Sequence, residues 1–327
     1  MKKSMKIAAG ILAVLIAFFA VINLLPPKKN VAENPFLKEN DGLPMIAAHR
    51  GGKSNHPENT LLAFREAVET VGVDILESDL YLTKDGHLVY NHDAYIDRTC
   101  NVNGDLPQEE AKENRHYIRD MTLQELQQYN FGYYFTDEAG QRIYRDVADV
   151  AAAGLQIATV EQLFEEFYEA YPDLMFIVEI KDEGDRGREA CRILWETLQQ
   201  YPDYLDQIVV GTFHDEIEEE LKANYPTLLR GAPTGTAAKF ILTQYLGLNI
   251  FDNSDFACLQ IPMEYDLGVT IPLDAKTLIR RAHRRNIAVQ YWTINDADEM
   301  RRLIELGCDC IMTDDPVLMK QILEEYK

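Results

Sequence analysis

From Met45 to Lys327 the chain alternates, eight times over, a short apolar run with a stretch of helical period. The runs fall at 45–48, 73–80, 174–179, 207–211, 227–230, 257–261, 287–292 and 309–312. Helical stretches are expected near 60–70, 159–169, 187–200, 215–224, 236–247, 274–285, 297–306 and 316–326. Short apolar runs separated by amphipathic helices are the signature of parallel βα units. Six or seven such units leave an open doubly wound sheet; eight close a ring. The expected fold is therefore α/β, a (β/α)8 TIM barrel. Two places break the rhythm. Lys84-Asp85-Gly86 is a turn signal that folds 87–90 back on the second strand as a hairpin. Residues 94–157 then form a polar insertion, whose Tyr133, Tyr134 and Phe135 either cover a site or, the default expectation, pack the insertion. Residues 248–256 are irregular.

Ahead of the barrel, Ile7–Leu25 carries no charge over 19 residues. As a helix it spans about 28 Å, enough to cross a bilayer core. Lys2, Lys3 and Lys6 precede it and Pro26-Pro27-Lys28-Lys29 end it. A cleaved signal peptide is the competing reading. Against it stand the length of the run and the lack of a small-x-small cleavage pattern, since Ala17 and Ala20 are spaced wrongly. The chain thus divides into an anchor (1–29), a polar linker (30–44) and the barrel (45–327). The excess of lysines at the short end places the amino terminus inside and the barrel outside a cell membrane, in a single pass. Setting aside the five lysines of the first 29 residues lowers the 32 Lys and Arg to 27, against 54 Asp and Glu, a net of −27 for the remainder. So acidic a body argues against nucleic acid as a partner and against lying flat on an anionic bilayer. The five cysteines are scattered, with no zinc spacing, and read as buried thiols.

Parity along the strands gathers the chemistry at one rim. The first strand ends in His49-Arg50-Gly51-Gly52, and Asn59 or Thr60 starts the helix that follows. Glu77 and Asp79, two apart on the second strand, face the same side, as do Glu179 and Lys181 on the third. The hairpin returns to Asn91-His92-Asp93, and the seventh strand leads into Trp292-Thr293-Ile294-Asn295. Each piece alone has an ordinary explanation: a solvated strand end, a surface ion pair, a helix cap. Their convergence on the carboxyl rim, where barrels of this kind carry their chemistry, is what argues for function. His56, His87, His116, His214 and His283 lie elsewhere and are assigned structural roles. Three carboxylates without a thiolate suit one hard divalent cation, Ca2+ or Mg2+. Such an ion, with Arg50 and Lys181, supplies the cationic island that an acidic body lacks, fit for a phosphodiester. His49 and His92 can then divide the proton transfers.

These motifs, in this order, resemble those of the glycerophosphodiester phosphodiesterases, relatives by fold of phosphatidylinositol-specific phospholipase C. The likeness covers about Ile46 to Pro316. It rests on His49-Arg50-Gly51 with Pro57-Glu58-Asn59-Thr60, Glu77-x-Asp79, His92-Asp93 with Asp97-Arg98-Thr99, Glu179-Ile180-Lys181, Trp292-Thr293-Ile294-Asn295, and Gly307 with Thr313-Asp314-Asp315-Pro316. The resemblance implies an insertion after the second strand. It implies His49 and His92 as general acid and base, and Glu77, Asp79 and Glu179 as metal ligands. Arg50 and Lys181 would hold phosphate and Trp292 would line a glycerol pocket. Hydrolysis of a glycerophosphodiester, a small molecule or one derived from lipid, would release glycerol 3-phosphate and an alcohol. The amino-terminal helix leaves open the same chemistry on lysophospholipids, as a lysophospholipase D, or on glycerol-phosphate polymers. A reading of another class is a barrel that binds ligand without catalysis; losing a histidine or an acid of the set would favour it, and none is lost.

Overall fold

The computed structural model describes residues 2–38, 42–106, 115–266 and 268–327. Met1 of the expected anchor, 39–41 of the linker and 107–114 of the insertion lie outside the described residues. The strands are β1 (Met45–Ala48), β2 (Ile75–Leu82), β3 (Leu88–Tyr90), β4 (Met175–Ile180), β5 (Ile208–Gly211), β6 (Leu229–Arg230), β7 (Cys258–Ile261), β8 (Glu264–Asp266), β9 (Thr270–Pro272), β10 (Ala288–Tyr291) and β11 (Cys310–Thr313). Parallel pairing runs β6-β5-β4-β2-β1-β11-β10-β7. The two ends of this order meet: Ala257 N–H donates to the Arg230 carbonyl at 2.8 Å and Ala232 N–H to that of Cys258 at 2.9 Å. The result is a nearly closed, eight-stranded parallel barrel, every strand at its expected place. β3 is the hairpin return, antiparallel to β2 with Leu80 opposite Tyr90.

Barrel strands are buried on both faces, which is why they read as unbroken apolar runs. Outward residues such as Leu76, Phe176, Val178, Val210 and Val289 meet the helices. Inward ones, among them Ala47, Ile75, Ile177, Val209, Ala288 and Cys310, form a second core, and Phe36 joins it. Small residues at 47, 257 and 288 leave room in the barrel floor, and the fully buried Phe36 ring fills it. Asn34 fixes the approach, its Nδ2 donating to the carbonyls of Ala257 at 2.9 Å and Asn286 at 2.8 Å. Residues 30–38, polar in sequence, thus lie against the floor of the barrel.

The eight barrel helices follow their strands. The first departs from simple form: Leu61–Arg65 is α-helical and Glu66–Val71 continues as a π turn. The insertion has a core of its own, with Val89, Ile96, Cys100, Ile118, Leu126, Phe131 and Ile157. Tyr133 and Tyr134 pack edge to face under the guanidinium of Arg142. Hairpin β8–β9 has no counterpart in the expected pattern. Its residues are mostly exposed, so burial leaves no mark on its sequence. The amino-terminal helix, Lys2–Leu24, is apolar from Ile7 on and exposed from Met5 to Leu24 except at Ile22, which is buried, and Asn23, which is half-buried.

Candidate active site

The inward parity of the floor continues up each strand. Ala47 leads to His49, Ile75 to Glu77 and Asp79, Ile177 to Glu179 and Lys181, Ala288 to Gln290 and Trp292, and Cys310 to Met312 and Asp314. Each step of two residues keeps the side chain on the inner face. Above an apolar floor the barrel therefore changes to ionisable groups, with Asp79 directly opposite Glu179 in the ladder.

The loop after β1 is bent to serve this site. The chain turns sharply over His49–Gly51, and Arg50 (φ 53°) and Asn59 (φ 56°) both lie in the left-handed region. Non-glycine residues enter it at a cost, so the surroundings must hold them there. Gly51 has φ 80°, and a Cβ on it would stand 2.9 Å from the Cβ of Ala63. Only glycine lets the loop lie this close to the helix. The turn points the Arg50 backbone N–H at Glu77 Oε2, 2.9 Å away.

His49 is buried. Its Nδ1 bonds to Asp314 Oδ1, and its Nε2 lies 3.9 Å from Glu77 Oε2. Asp314 is itself held: Asn295 Nδ2 donates to its Oδ2 at 2.9 Å and Lys53 Nζ is 3.3 Å away. His92 repeats the pattern at the end of the hairpin, with Nδ1 2.9 Å from Asp93 Oδ1. A carboxylate can only accept, so Nδ1 of both rings carries the proton. In the neutral ring Nε2 is then left as the acceptor. Burial lowers the His49 pKa below its ordinary 6.5, although the bond to Asp314 works the other way. Burial alone would raise the Asp314 carboxyl, but the bond to and charge of His49, with the bond from Asn295 and the charge of Lys53, together outweigh it and hold the group below the usual range.

Among the acids, Glu77 is almost wholly buried and has a backbone N–H, not a cation, as its hydrogen-bond donor. Burial, then the negative charge of Asp79, pushes its pKa well up. Lys181 Nζ stands 2.9 Å from Glu179 Oε1 and 3.5 Å from Asp79 Oδ1, and Arg50 Nε is 3.5 Å from Asp79 Oδ2. Burial pulls the Lys181 ammonium pKa down, but the charges of Asp79 and Glu179 more than offset this and leave it raised. Trp292 follows β10 with its indole partly exposed, and Phe213 follows β5 with Lys181 Nζ 5.9 Å from its ring centre.

The eight residues singled out from the sequence thus sit on one rim, and six of them form a connected chain. His49 lies against Glu77, Arg50 bridges Glu77 and Asp79, and Lys181 bridges Asp79 and Glu179. His92 stands beyond the Glu179 end, near enough that its protonated ring would lower the Glu179 pKa, and Trp292 stands apart. Among the described residues no three His, Cys, Asp or Glu side chains are arranged as a ready cage for an ion. The chemistry of the donor set nonetheless suits a hard cation: three carboxylates on adjacent strands, one of them, Glu77, buried with a backbone N–H as its hydrogen-bond donor.

Sequence reasoning missed the groups behind the first rank. Asp314 lay in a quoted motif without a role, though its parity with Cys310 and Met312 signals it. Glu58 links Arg50, at 3.3 Å, to Arg98, which donates to both its oxygens at 2.8 and 2.6 Å and also reaches Asp93. The backing of both histidines is therefore tied to the first loop. Four of the histidines assigned structural roles have structural partners: His56 on Tyr144, His116 on Asp97, His214 on the Lys181 carbonyl, and His283 on Asp309.

Residues 49–318 match the sequence profile of the glycerophosphoryl diester phosphodiesterase family. A glycerophosphodiester phosphodiesterase of Caldanaerobacter subterraneus subsp. tengcongensis is 27% identical, over 83% of this chain and 94% of that one. A lysophospholipase D of Rattus norvegicus is 26% identical, over 84% and 85%. An Oleispira antarctica phosphodiesterase, solved in complex with the product sn-glycerol-3-phosphate, superposes with a TM-score of 0.61 at 22% identity, covering 86% of this chain and 97% of that one.

Proposed function

The chain belongs to the glycerophosphoryl diester phosphodiesterase family, and from that premise we propose that it hydrolyses glycerophosphodiesters to glycerol 3-phosphate and an alcohol, with His49 and His92 moving the protons. The observation that carries this reading is the paired arrangement of imidazoles. Each has Nδ1 on a carboxylate, with His49 Nε2 facing Glu77 at 3.9 Å and His92 close enough to Glu179 for its charge to be felt there. Displacement at phosphorus brings the attacking and leaving oxygens roughly in line. One imidazole, neutral, takes the proton of the attacking hydroxyl: that of water, or that of the neighbouring glycerol carbon, whose cyclic phosphate water then opens to glycerol 3-phosphate. The other, protonated on Nε2 as well, gives that proton to the departing alcohol oxygen. Each transfer is worth about 10²–10⁴ in rate.

Arg50 and Lys181 are assigned to the phosphoryl oxygens. Lys181 is held charged by Asp79 and Glu179, so it brings a full positive charge to a rim of acids. Glu77, Asp79 and Glu179 would hold one divalent cation, Ca2+ or Mg2+. Such an ion, when bound, neutralises charge on the phosphoryl oxygens and orients them. Trp292 offers an exposed apolar face to the glycerol carbons. The helix Met5–Leu24 is long and apolar enough to cross a membrane. We assign it as a retained anchor, with the amino terminus inside and the barrel outside.

His49→Ala and His92→Ala should each cut kcat by about 10²–10⁴ while leaving the unfolding midpoint in place. Parallel loss of folding and activity would make the histidines structural and sink the assignment. A second reading, lipid substrates, is favoured by the exposed aromatics Phe213 and Trp292 at the mouth and by the rat relative. Comparing turnover of glycerophosphocholine with lysophosphatidylcholine decides between them, the first being preferred if the substrate is water-soluble.

A further inference from the structure

Two neighbouring barrel helices, Thr234–Tyr245 and Lys276–His283, differ from the rest of this acidic body. Neither residues 231–251 nor residues 275–295 contain a single Asp or Glu. The first helix and the turn after it expose Leu242, Tyr245, Leu246 and Phe251, each between 46% and 58% accessible. Elsewhere the barrel helices present charge, as Arg188, Arg192 and Arg301 do, each paired with a neighbouring acid. The second helix presents Arg280, Arg281 and Arg284 on one face, and among the described residues none of the three makes an ion pair. Burial and then the charges of Arg284 and Arg280 lower the Arg281 pKa, which marks a cation cluster without acid nearby. In a body with twice as many acids as bases, unpaired arginines are the exception.

The end of the apolar amino-terminal helix is fastened to this same place. Asn23 Nδ2 donates to the Gly247 carbonyl at 3.1 Å, and Arg281 Nη2 to Asn23 Oδ1 at 3.3 Å. Arg284 donates to the carbonyls of Asn23 at 2.9 Å and Leu25 at 2.7 Å. Lys28 and Lys29 come directly after, exposed and without an acid partner among the described residues. The fully buried Arg285 locks the arrangement, binding Asn30 Oδ1 and the carbonyls of Asn249 and Asp252.

We propose that this flank is a second, interfacial membrane contact: the barrel lies against an anionic phospholipid surface, with Leu242, Leu246 and Phe251 in the headgroup boundary and Arg280, Arg281, Arg284, Lys28 and Lys29 at the phosphates. The inference rests on the anchor reading of the helix. Apolar side chains beside Lys and Arg, without acids, are the composition of surfaces that lie in that boundary. Each cation held near an anionic surface adds to the attraction, and a surrounding field of acids would cancel it. An anchor alone does not require this composition. A single spanning helix followed by a free linker would leave the barrel flank as charged as the other faces.

The test uses the full chain in nanodiscs, either of phosphatidylcholine alone or with about a third phosphatidylglycerol. Spin labels are placed singly through Val14→Cys, Leu246→Cys and Phe251→Cys; the five native cysteines are buried. With anionic lipid, labels at 246 and 251 should lose collisional access to a water-soluble nickel relaxant and gain access to oxygen. That protection should weaken in phosphatidylcholine alone and with Arg280→Glu. A label at 14 shielded from nickel, beside labels at 246 and 251 that stay open to it, overturns the flank contact while the anchor stands. A label at 14 open to nickel overturns the anchor reading itself.

Discussion

Asp314→Asn is the change that most directly interrogates the proton chemistry. The carboxylate fixes the His49 ring through Nδ1 and is fixed in turn by Asn295 and Lys53. An amide of the same shape keeps the packing but presents either an acceptor or a donor to Nδ1. Where the NH2 faces the ring, the tautomer inverts and Nε2 carries the proton, useless as an acceptor. The loss cannot exceed what His49 contributes, about 10²–10⁴ in rate, or roughly 3–5 kcal/mol of transition-state stabilisation. Two residues acting as one unit are not additive. Asp314→Asn with His49→Ala should therefore fall no lower than His49→Ala alone. The pH profile gives a second sign. Asp314 raises the His49 pKa against the larger effect of burial. Removing its charge must lower that pKa further, so an acid limb governed by neutral His49, already below 6.5, moves to lower pH. The assay is kcat/KM for glycerophosphocholine across pH, coupled to glycerol 3-phosphate detection. Losses that multiply in the double variant, or an acid limb moving upward, would refute the assignment of His49 as the base that Asp314 positions.

The same group carries a stability prediction: a histidine kept neutral by burial opposes protonation, so its contribution is whole above the unfolded value of 6.5 and fades as pH falls through the lowered folded one. Urea midpoints between pH 7 and 5 should decline less in His49→Gln than in the native chain. Glu77 has the opposite sign. Its raised pKa means that the metal-free fold pays increasingly as pH climbs above the ordinary carboxylate value. Glu77→Gln should then match or exceed the metal-free native protein in stability at pH 7 while losing turnover. Adding Ca2+ or Mg2+ at a hundred times Kd should stabilise the native chain by about 2.7 kcal/mol, a rise on the order of 5 °C in Tm, and leave the variant nearly unmoved; equal rises in both would remove Glu77 from the ion. Phe36→Ala empties the barrel floor and should cost about 3–5 kcal/mol in urea denaturation. A cost under about 1 kcal/mol would mean the floor closes without that ring.

The barrel and the first rank of its rim were legible because one rule governs both. A strand alternates sides, so whatever lies two residues beyond an inward Ile or Ala is inward too. Glu77, Asp79, Glu179 and Lys181 stand where that rule puts them. Asp314 obeys the same rule, two beyond Met312 and four beyond Cys310, yet it draws no notice from sequence because a lone acid at a strand end is ordinary. Its importance comes from His49, a partner 265 positions away. Long-range partnership leaves no local pattern. Glu58 and Arg98 escaped for the same reason.

Phe36 and the 242–251 flank show the other limit. Apolar periodicity signals that a side chain is buried, not what buries it. Phe36, between Pro35 and Leu37 in a short stretch without helical or strand period, carries no such signal, so residues 30–38 read as linker although the ring fills the barrel floor. Leu242, Tyr245 and Leu246, at helical spacing, and Phe251 beyond them present the converse: apolar residues that the protein leaves uncovered. Helical spacing alone does not say which way such a stripe faces; the fold shows these facing outward. Beside them the acids stop and the arginines go unpaired. Since the apolar amino-terminal helix ends at this place, the lipid that would receive the helix is the nearest apolar phase available to the uncovered side chains.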